Sequence, residues 1–342
     1  MKRMTAFLSV LICMVATSCR KELCYDHYDH TPGIVLDIKP EWELVWERDY
    51  GCGWRECWQS EWGFGYDELC PEVPDGLRLL AFHEDGNKEV YDMSSYGDVI
   101  SFRNEGTYSL LFHNNDTEYI LFDGMSSSTR ATATTRTMSR GGFKSMHEEE
   151  RTIAQPDMLY GKYVEEYDAI KKLGIEQIDV TMRPLVYSYL ICYEFSSGFE
   201  HVALARGALA GMAERVYLHD GHTGPESATI LFDCVVGKDC VYAEVKTFGV
   251  PAYPGDHYIK GSEDDMPYSL NLEVRMNNGR FKTFEFDIRE QMLKQPRGGV
   301  LIVGGLEITD EEGGVIGSEQ GGGFDVGIDG WDDSVDIILP FD

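Results

Sequence analysis

Three tryptophans, Trp54, Trp58 and Trp62, recur every four residues inside a segment from Trp42 to Trp62 that holds five of the six tryptophans of the chain. Indole rings are large and rigid. Exposed, they stack on sugar rings or anchor a protein partner; buried, they pack as a lid. The binding reading names Trp54, Trp58 and Trp62 as candidate contacts to a glycan or host ligand, and the packing reading makes them a lid over the first β unit. Two pairs of cysteines lie close enough in sequence to cross-link: Cys52 with Cys57, around Gly53-Trp54-Arg55-Glu56, and Cys234 with Cys240, across a hairpin running through Val235 to Asp239.

Other constellations carry less chemistry. Asp26-His27-Tyr28-Asp29-His30 has metal-ligand residue types but reads as a solvated spacer. The acidic runs Glu263-Asp264-Asp265 and Asp310-Glu311-Glu312, and the group Asp325, Asp329, Asp332 and Asp333, offer oxygens in linear order. Calcium needs six to eight oxygens converging on one point, so these read as solvated faces. No CxxC, HxxxH, G-x-S-x-G or P-loop pattern occurs, and His147-Glu148-Glu149-Glu150-Arg151 lacks the second histidine of a zinc-peptidase motif. No catalytic set, metal or cofactor is expected, and the reading is of a non-enzyme.

The elements that must position these residues are strands. The chain has 342 residues with 36 glycines and 19 tyrosines, and is 43% hydrophobic, too apolar for disorder and turn-rich enough for a β protein. Its length favours two domains. Short alternating runs separated by Asn/Asp/Gly turns mark Leu77 to Phe82, Val90 to Met93, Asp98 to Phe102, Tyr108 to His113 and Tyr119 to Phe122. The segment from Ser126 to Arg140 has no apolar stripe and reads as an exposed loop. Tyr160, Tyr163, Val164, Tyr167 and Ile170, after Pro156-Asp157 and before Gly174, have helical spacing. Strands return with Met182 to Phe195, Phe199 to Ala205, Thr229 to Val236, Cys240 to Phe248, Leu270 to Met276 and Arg280 to Asp287. The last two flank Asn278-Gly279, which tolerates the positive φ of a type I′ turn. Val300 to Ile308, Phe324 to Ile328 and Val335 to Leu339 complete the set. The fold class is all-β: two consecutive sandwiches, residues 33–177 and 178–342, with a Trp-rich insertion in the first.

Net charge limits the partners. Thirty Lys and Arg against 59 Asp and Glu give a formal charge of −29, which excludes a nucleic-acid partner held by phosphate neutralisation and a polybasic membrane face. The N-terminus supplies another route to a membrane. Lys2 and Arg3 precede the apolar core Ala6 to Ala16, too short for a span, and Ala16-Thr17-Ser18 lead to Cys19. Residues 1–18 therefore read as a signal peptide ending in a lipobox, Cys19 as the lipidated first residue, and residues 19–32 as a tether. Each buried methylene of the lipid contributes roughly 0.8 kcal/mol, so several chains anchor stably without a transmembrane helix. Loss of Lys2 and Arg3 takes the charge from −29 to −31. Of nine cysteines, Cys13 leaves with the signal and Cys19 takes lipid; the remaining seven cannot all pair, and Cys192, within the apolar run Tyr187 to Phe195, is the expected buried thiol.

Several motifs resemble a known family. Cys19-Arg20-Lys21-Glu22-Leu23-Cys24-Tyr25-Asp26-His27, Trp46-Glu47-Arg48-Asp49-Tyr50-Gly51, Asn114-Asn115-Asp116-Thr117-Glu118, Ala131 to Thr137 and Gly323-Phe324-Asp325-Val326 are similar to a Bacteroidetes family of lipoproteins of unknown function. That family is similar in layout to fimbrillins and the fimbrial anchor lipoproteins of type V pili. The resemblance implies two tandem transthyretin-like β-sandwiches and an outer-membrane, surface-exposed lipoprotein with a structural or adhesive role as pilus anchor, accessory or tip subunit. Partners would be the outer membrane through Cys19, fimbrial subunits by strand addition, and glycans through the tryptophans. Pilins of this type are cut by an Arg-specific protease after their first strand, whereas anchor-type members keep strand and lipid. Arg48 stands where such a cut would fall, and its plainer reading is an ordinary surface arginine.

Overall fold

The computed structural model describes residues 31–48, 53–56, 58–62, 65–143, 147–238, 240–255 and 267–314. Eighteen strands make up nearly all of the regular structure among these described residues. In chain order they are β1 (Ile34–Trp42), β2 (Gly76–His83), β3 (Lys88–Ser94), β4 (Val99–Phe102), β5 (Gly106–Asn114), β6 (Ile120–Asp123), β7 (Thr132–Thr135), β8 (Arg151–Ile153) and β9 (Tyr160–Ala169). They continue with β10 (Glu176–Pro184), β11 (Tyr187–Ser197), β12 (Val202–Ala213), β13 (Val216–Tyr217), β14 (Ser227–Val236), β15 (Cys240–Thr247), β16 (Ser269–Met276), β17 (Phe281–Asp287) and β18 (Gly299–Glu307). Two short helices, α1 (Arg289–Met292) and α2 (Asp310–Gly313), flank β18.

The first body is one seven-stranded sheet, β3-β2-β5-β9-β10-β1-β4, folded over its own core. The fold line lies between β9 and β10, which share only the pairs Arg183↔Gly161 and Pro184↔Tyr160. The four-stranded layer β3-β2-β5-β9 therefore faces the three-stranded layer β10-β1-β4, and the space between them is filled by Leu36, Ile38, Leu77, Leu79, Tyr108, Leu110, Phe112 and Met182. The second body repeats the plan in the order β17-β16-β12-β14-β15-β11-β18. Its fold line is the equally brief β14–β15 contact, Val235↔Tyr242 and Val236↔Val241. Along these paths each body carries one parallel pair: β1 with β10, and β11 with β18. The expected all-β tandem of sandwiches is what forms, and the Asn278-Gly279 turn joins β16 to β17 with Gly279 at φ +81.

Three expectations differ from the structure. The helical spacing of Tyr160 to Ile170 belongs to strand β9. Its ladder with β5 shifts register between Tyr108 and Leu110, which pair with Tyr167 and Val164. The extra residue of that bulge turns a spacing of two into a spacing of three, so Val164 and Tyr167 both reach the core and mimic a helix face. Ile170, counted in the stripe, is exposed. Second, the segment from Ser126 to Arg140 is not all loop. Ala131, Ala133 and Thr135 are fully buried, and β7 joins β6 and β13 in a three-stranded sheet linking the bodies. The buried positions are held by alanine and threonine, which leave no apolar stripe in the sequence. Third, the chain changes body between Pro184 and Tyr187 rather than at 177, because β10 closes the first sheet beside β1. Met182 and Phe195 thus sit in two strands, split at Leu185-Val186. Segment crossing goes further: β8, early in the chain, pairs in parallel with β14 of the second body.

Candidate functional site

After β1 the chain leaves its own sheet. Glu43 N–H still bonds Met182 O at 3.0 Å, but Trp46 O accepts from Ser188 N–H at 2.8 Å and Arg48 N–H donates to Arg297 O at 2.6 Å, both in the second body. This crossing needs a glycine opposite it. Gly298 has φ +81, and a Cβ there would meet Trp46 O, Ser188 O and Glu47 Cα at 2.7–2.9 Å.

The tryptophans then fold onto the outer face of the second body. Trp46, Trp62 and Leu69 are buried against Leu190, Cys192 and Val300, with Trp54, Trp58, Tyr66 and Ile302 at the margin. The lid of the packing reading exists, but it covers β11 and β18 rather than the first sandwich. This explains β11 itself: Tyr187 to Tyr193 is an unbroken buried run because one face meets the sandwich core and the other meets the tryptophans. The four-residue spacing comes from a turn at 54–56 and a 3-10 turn, Ser60–Trp62, not from an α-helix. Ring centroids lie 4.9 Å apart for Trp58–Trp62, 5.8 Å for Trp54–Trp62, 5.9 Å for Trp46–Trp58 and 5.4 Å for Trp58–Tyr66, all edge to face. Such pairs contribute about 0.5–1.5 kcal/mol each beyond burial.

Polar groups fix the cover. Trp54 Nε1–H donates to Gln295 Oε1 at 3.1 Å. The buried Gln295 carboxamide also donates to Val300 O and accepts from Val300 N–H, at 2.7 and 3.1 Å. Tyr66 O–H donates to Glu47 Oε1 at 2.8 Å. Glu47 is 4% exposed, and its Oε2, like Trp46 Nε1 and Trp62 Nε1, has no hydrogen-bond partner among the described residues. Burial pushes its carboxyl up to about 7, with the Tyr66 bond opposing. Burial likewise raises the Cys70 thiol beside it. Glu47 and Gln295 were not singled out from sequence. An acidic residue embedded between Trp46 and an aromatic run was the available signal for the first; nothing local marked the second.

The remaining sequence candidates fall as follows. Trp54, Trp58 and Trp62 are brought together; Trp62 is 2% exposed and Trp54 and Trp58 are half-buried. Arg48 is half-buried, bound through its backbone to Arg297 and through its guanidinium to Glu43. Cys234 retains its thiol, so the Cys234–Cys240 cross-link is corrected. The reason is parity: Cys234 and Val236 point into the core of the second body, whereas on β15 it is Val241, Ala243 and Val245 that do, which leaves Cys240 on the opposite face. Cys192 is buried with its thiol intact, as expected. Of the acidic runs, Glu312 serves α2, capping Thr309 and pairing with Lys282 at 2.8 Å, which hold its carboxyl down at about 2. Cys19, Cys52, Cys57, the segment from Asp26 to His30, the run Glu263 to Asp265 and the aspartates from 325 onward lie outside the described residues.

A model of a domain of unknown function, DUF5119, matches residues 62–233, half of the chain. The chain belongs to that family. The match runs from Trp62 in the aromatic cover to β14, so it spans both bodies. No curated protein sequence matches. Among solved structures, a candidate adhesin from Bacteroides ovatus shares the fold, with 20% identity, TM-score 0.56, and coverage of 86% of this chain and 97% of that one. The fimbrial anchor protein Mfa2 from Porphyromonas gingivalis aligns at 11% identity and TM-score 0.44, over 80% of this chain and 90% of its own. A candidate polysaccharide-binding protein from Bacteroides thetaiotaomicron aligns at 10% and 0.42, over 78% and 90%. The expected membership of a family of unknown function is borne out; at these identities the structural likeness is one of fold.

Proposed function

We propose that this protein is a surface lipoprotein of the fimbrial anchor or accessory kind, non-enzymatic, held to the outer membrane through Cys19 and displaying a first sandwich that keeps its own first strand. One observation carries the reading. β1 is an interior strand, parallel to β10 from Leu36↔Glu176 to Trp42↔Met182 and antiparallel to β4 from Ile34↔Phe102 to Asp37↔Val99. It buries Ile34, Leu36 and Ile38 to 3% exposure or less. At about 1.5–3 kcal/mol per side chain, stripping the strand costs roughly 5–9 kcal/mol before the opened ladders are counted. That is comparable with the whole stability of a domain, so a subunit that lost β1 would need a partner's strand in its place.

Two further facts support an uncut chain of this kind. Arg48 is tied at backbone and side chain to Arg297 and Glu43, which is poor presentation for a protease. A solved structure that shares the fold is that of a candidate adhesin. A glycan role for Trp54, Trp58 and Trp62 would use only the half-buried rims of Trp54 and Trp58, since Trp62 is spent inside the cover. The test is labelled-palmitate incorporation with protease shaving of whole cells, comparing wild type with Cys19→Ala. The reading expects label and surface cleavage for the wild type and loss of both for the variant. Unlabelled protein released only by lysis overturns it.

A further inference from the structure

A second cluster lies away from the tryptophans, on the β13–β14 turn where the two bodies meet. The sequence His219-Asp220-Gly221-His222 reverses direction between Tyr217 and His222, with Tyr217 N–H on His222 O at 2.8 Å and Gly221 N–H on Tyr217 O at 2.9 Å. Gly221 takes φ +76, which the reversal requires. Leu218 plugs the turn into the junction core beside Leu185, and its N–H bonds Ala131 O at 3.0 Å. On the far side Thr223 Oγ1 donates to Val250 O at 2.7 Å. The turn is thus fastened at both ends.

Its side chains converge on one carboxylate. His222 Nδ1 lies 2.5 Å from Asp220 Oδ1, and His219 Nε2 lies 3.3 Å from Asp220 Oδ2. The three ligand atoms fall within 4.8 Å of one another. His222 N–H also bonds Asp220 Oδ1 at 3.1 Å, which fixes the carboxylate. Tyr217 stacks on the His222 ring at 3.9 Å and 14°, while Tyr163 and Tyr217 stand edge-on to His219 at 6.0 and 6.2 Å. His219 Nδ1 is buried without a hydrogen-bond partner among the described residues, so Nε2 is the nitrogen that acts.

We propose that His219 Nε2, the Asp220 carboxylate and His222 Nδ1 form a binding site for a divalent transition-metal ion of the zinc type, with a fourth position open to water or an incoming ligand. Two imidazoles and one carboxylate suit zinc and its borderline neighbours; calcium and magnesium prefer all-oxygen sets. Binding replaces the His222–Asp220 hydrogen bond and the 3.3 Å contact of His219 with Asp220 by three metal–ligand bonds, and any proton on a metal-facing nitrogen moves to the other ring nitrogen or to solvent. Because the turn belongs to the second body and Tyr163 lies on β9 of the first, an ion here would brace the junction. No HxxxH spacing marks the site in the sequence, because its ligands are brought together by a turn and not by a helix face.

The test is calorimetric titration of the mature chain with Zn2+, repeated with Ca2+, in wild type, His27→Gln/His30→Gln, His219→Gln/His222→Gln and Asp220→Asn. We expect one Zn2+ and no Ca2+ at this site, binding kept in the first variant, and a loss of more than about 100-fold in the other two, beyond what loss of an outer hydrogen-bond partner costs. Asp220→Asn preserves shape should the double histidine variant fold poorly, and thermal unfolding without metal checks each fold. Absence of Zn2+ binding, binding untouched by the last two variants, or binding abolished by His27→Gln/His30→Gln would overturn the proposal.

Discussion

Replacing Glu47 by glutamine should stabilise the protein above neutral pH and leave it nearly unchanged in acid. The carboxyl rises from an ordinary 4.5 to about 7 in the folded chain because it is buried beneath the aromatic cover. Below pH 4.5 it is protonated whether the chain is folded or not, and folding gains nothing from ionisation. Between 4.5 and about 7 the unfolded chain releases the proton first, so stability falls as pH rises; above 7 both states are ionised and the loss is complete. At about 1.4 kcal/mol per pH unit, that window amounts to about 3 kcal/mol. Glutamine keeps the acceptor for Tyr66 O–H and carries no charge to bury. Urea unfolding of both proteins at several pH values between 4 and 8.5 gives the difference directly. Carboxylates held low elsewhere, such as Asp92, Glu176 and Glu312, contribute equally to both chains and cancel. A difference that stays flat across the window, or a wild type more stable than the variant at pH 8, would refute the buried-carboxyl reasoning.

Trp62→Ala should cost about 3–5 kcal/mol, the usual effect of emptying a large buried aromatic site, and should expose Leu190 and Cys192 of the second body; thiol labelling of Cys192 would report it. Gly298→Ala places a methyl within 3 Å of Trp46 O and Ser188 O at a positive φ, so hydrogen exchange at Ser188 should quicken before global unfolding does. Cys234→Ser and Cys240→Ser should each leave the disulfide pattern seen by non-reducing peptide mapping unchanged, because the two side chains lie on opposite faces.

Much of this fold could be read from alternation alone. The runs Leu77–Phe82 and Tyr108–His113 formed β2 and β5, with Leu77, Leu79, Leu110 and Phe112 in the first core and Leu80 and Leu111 in the junction core on the other face, and Asn278-Gly279 formed the turn expected of it. The apolar run of β11 marked Cys192 as buried, though not what would cover it. Failures arose where a partner distant in sequence decided the outcome. The bulge opposite Leu110 disguised β9, buried alanine and threonine at the junction hid β7, and β10 was claimed by β1 across more than a hundred intervening residues. The tryptophans do pack as one unit. Their destination was illegible because it depends on Gly298 and Gln295 admitting the chain at the far end of the sequence.

The most direct measurement is the intact mass of the protein purified from its own cells. The account predicts a single species beginning at acylated Cys19 and retaining β1 through Arg48. A species beginning at Asp49, without lipid and without its first strand, would contradict it.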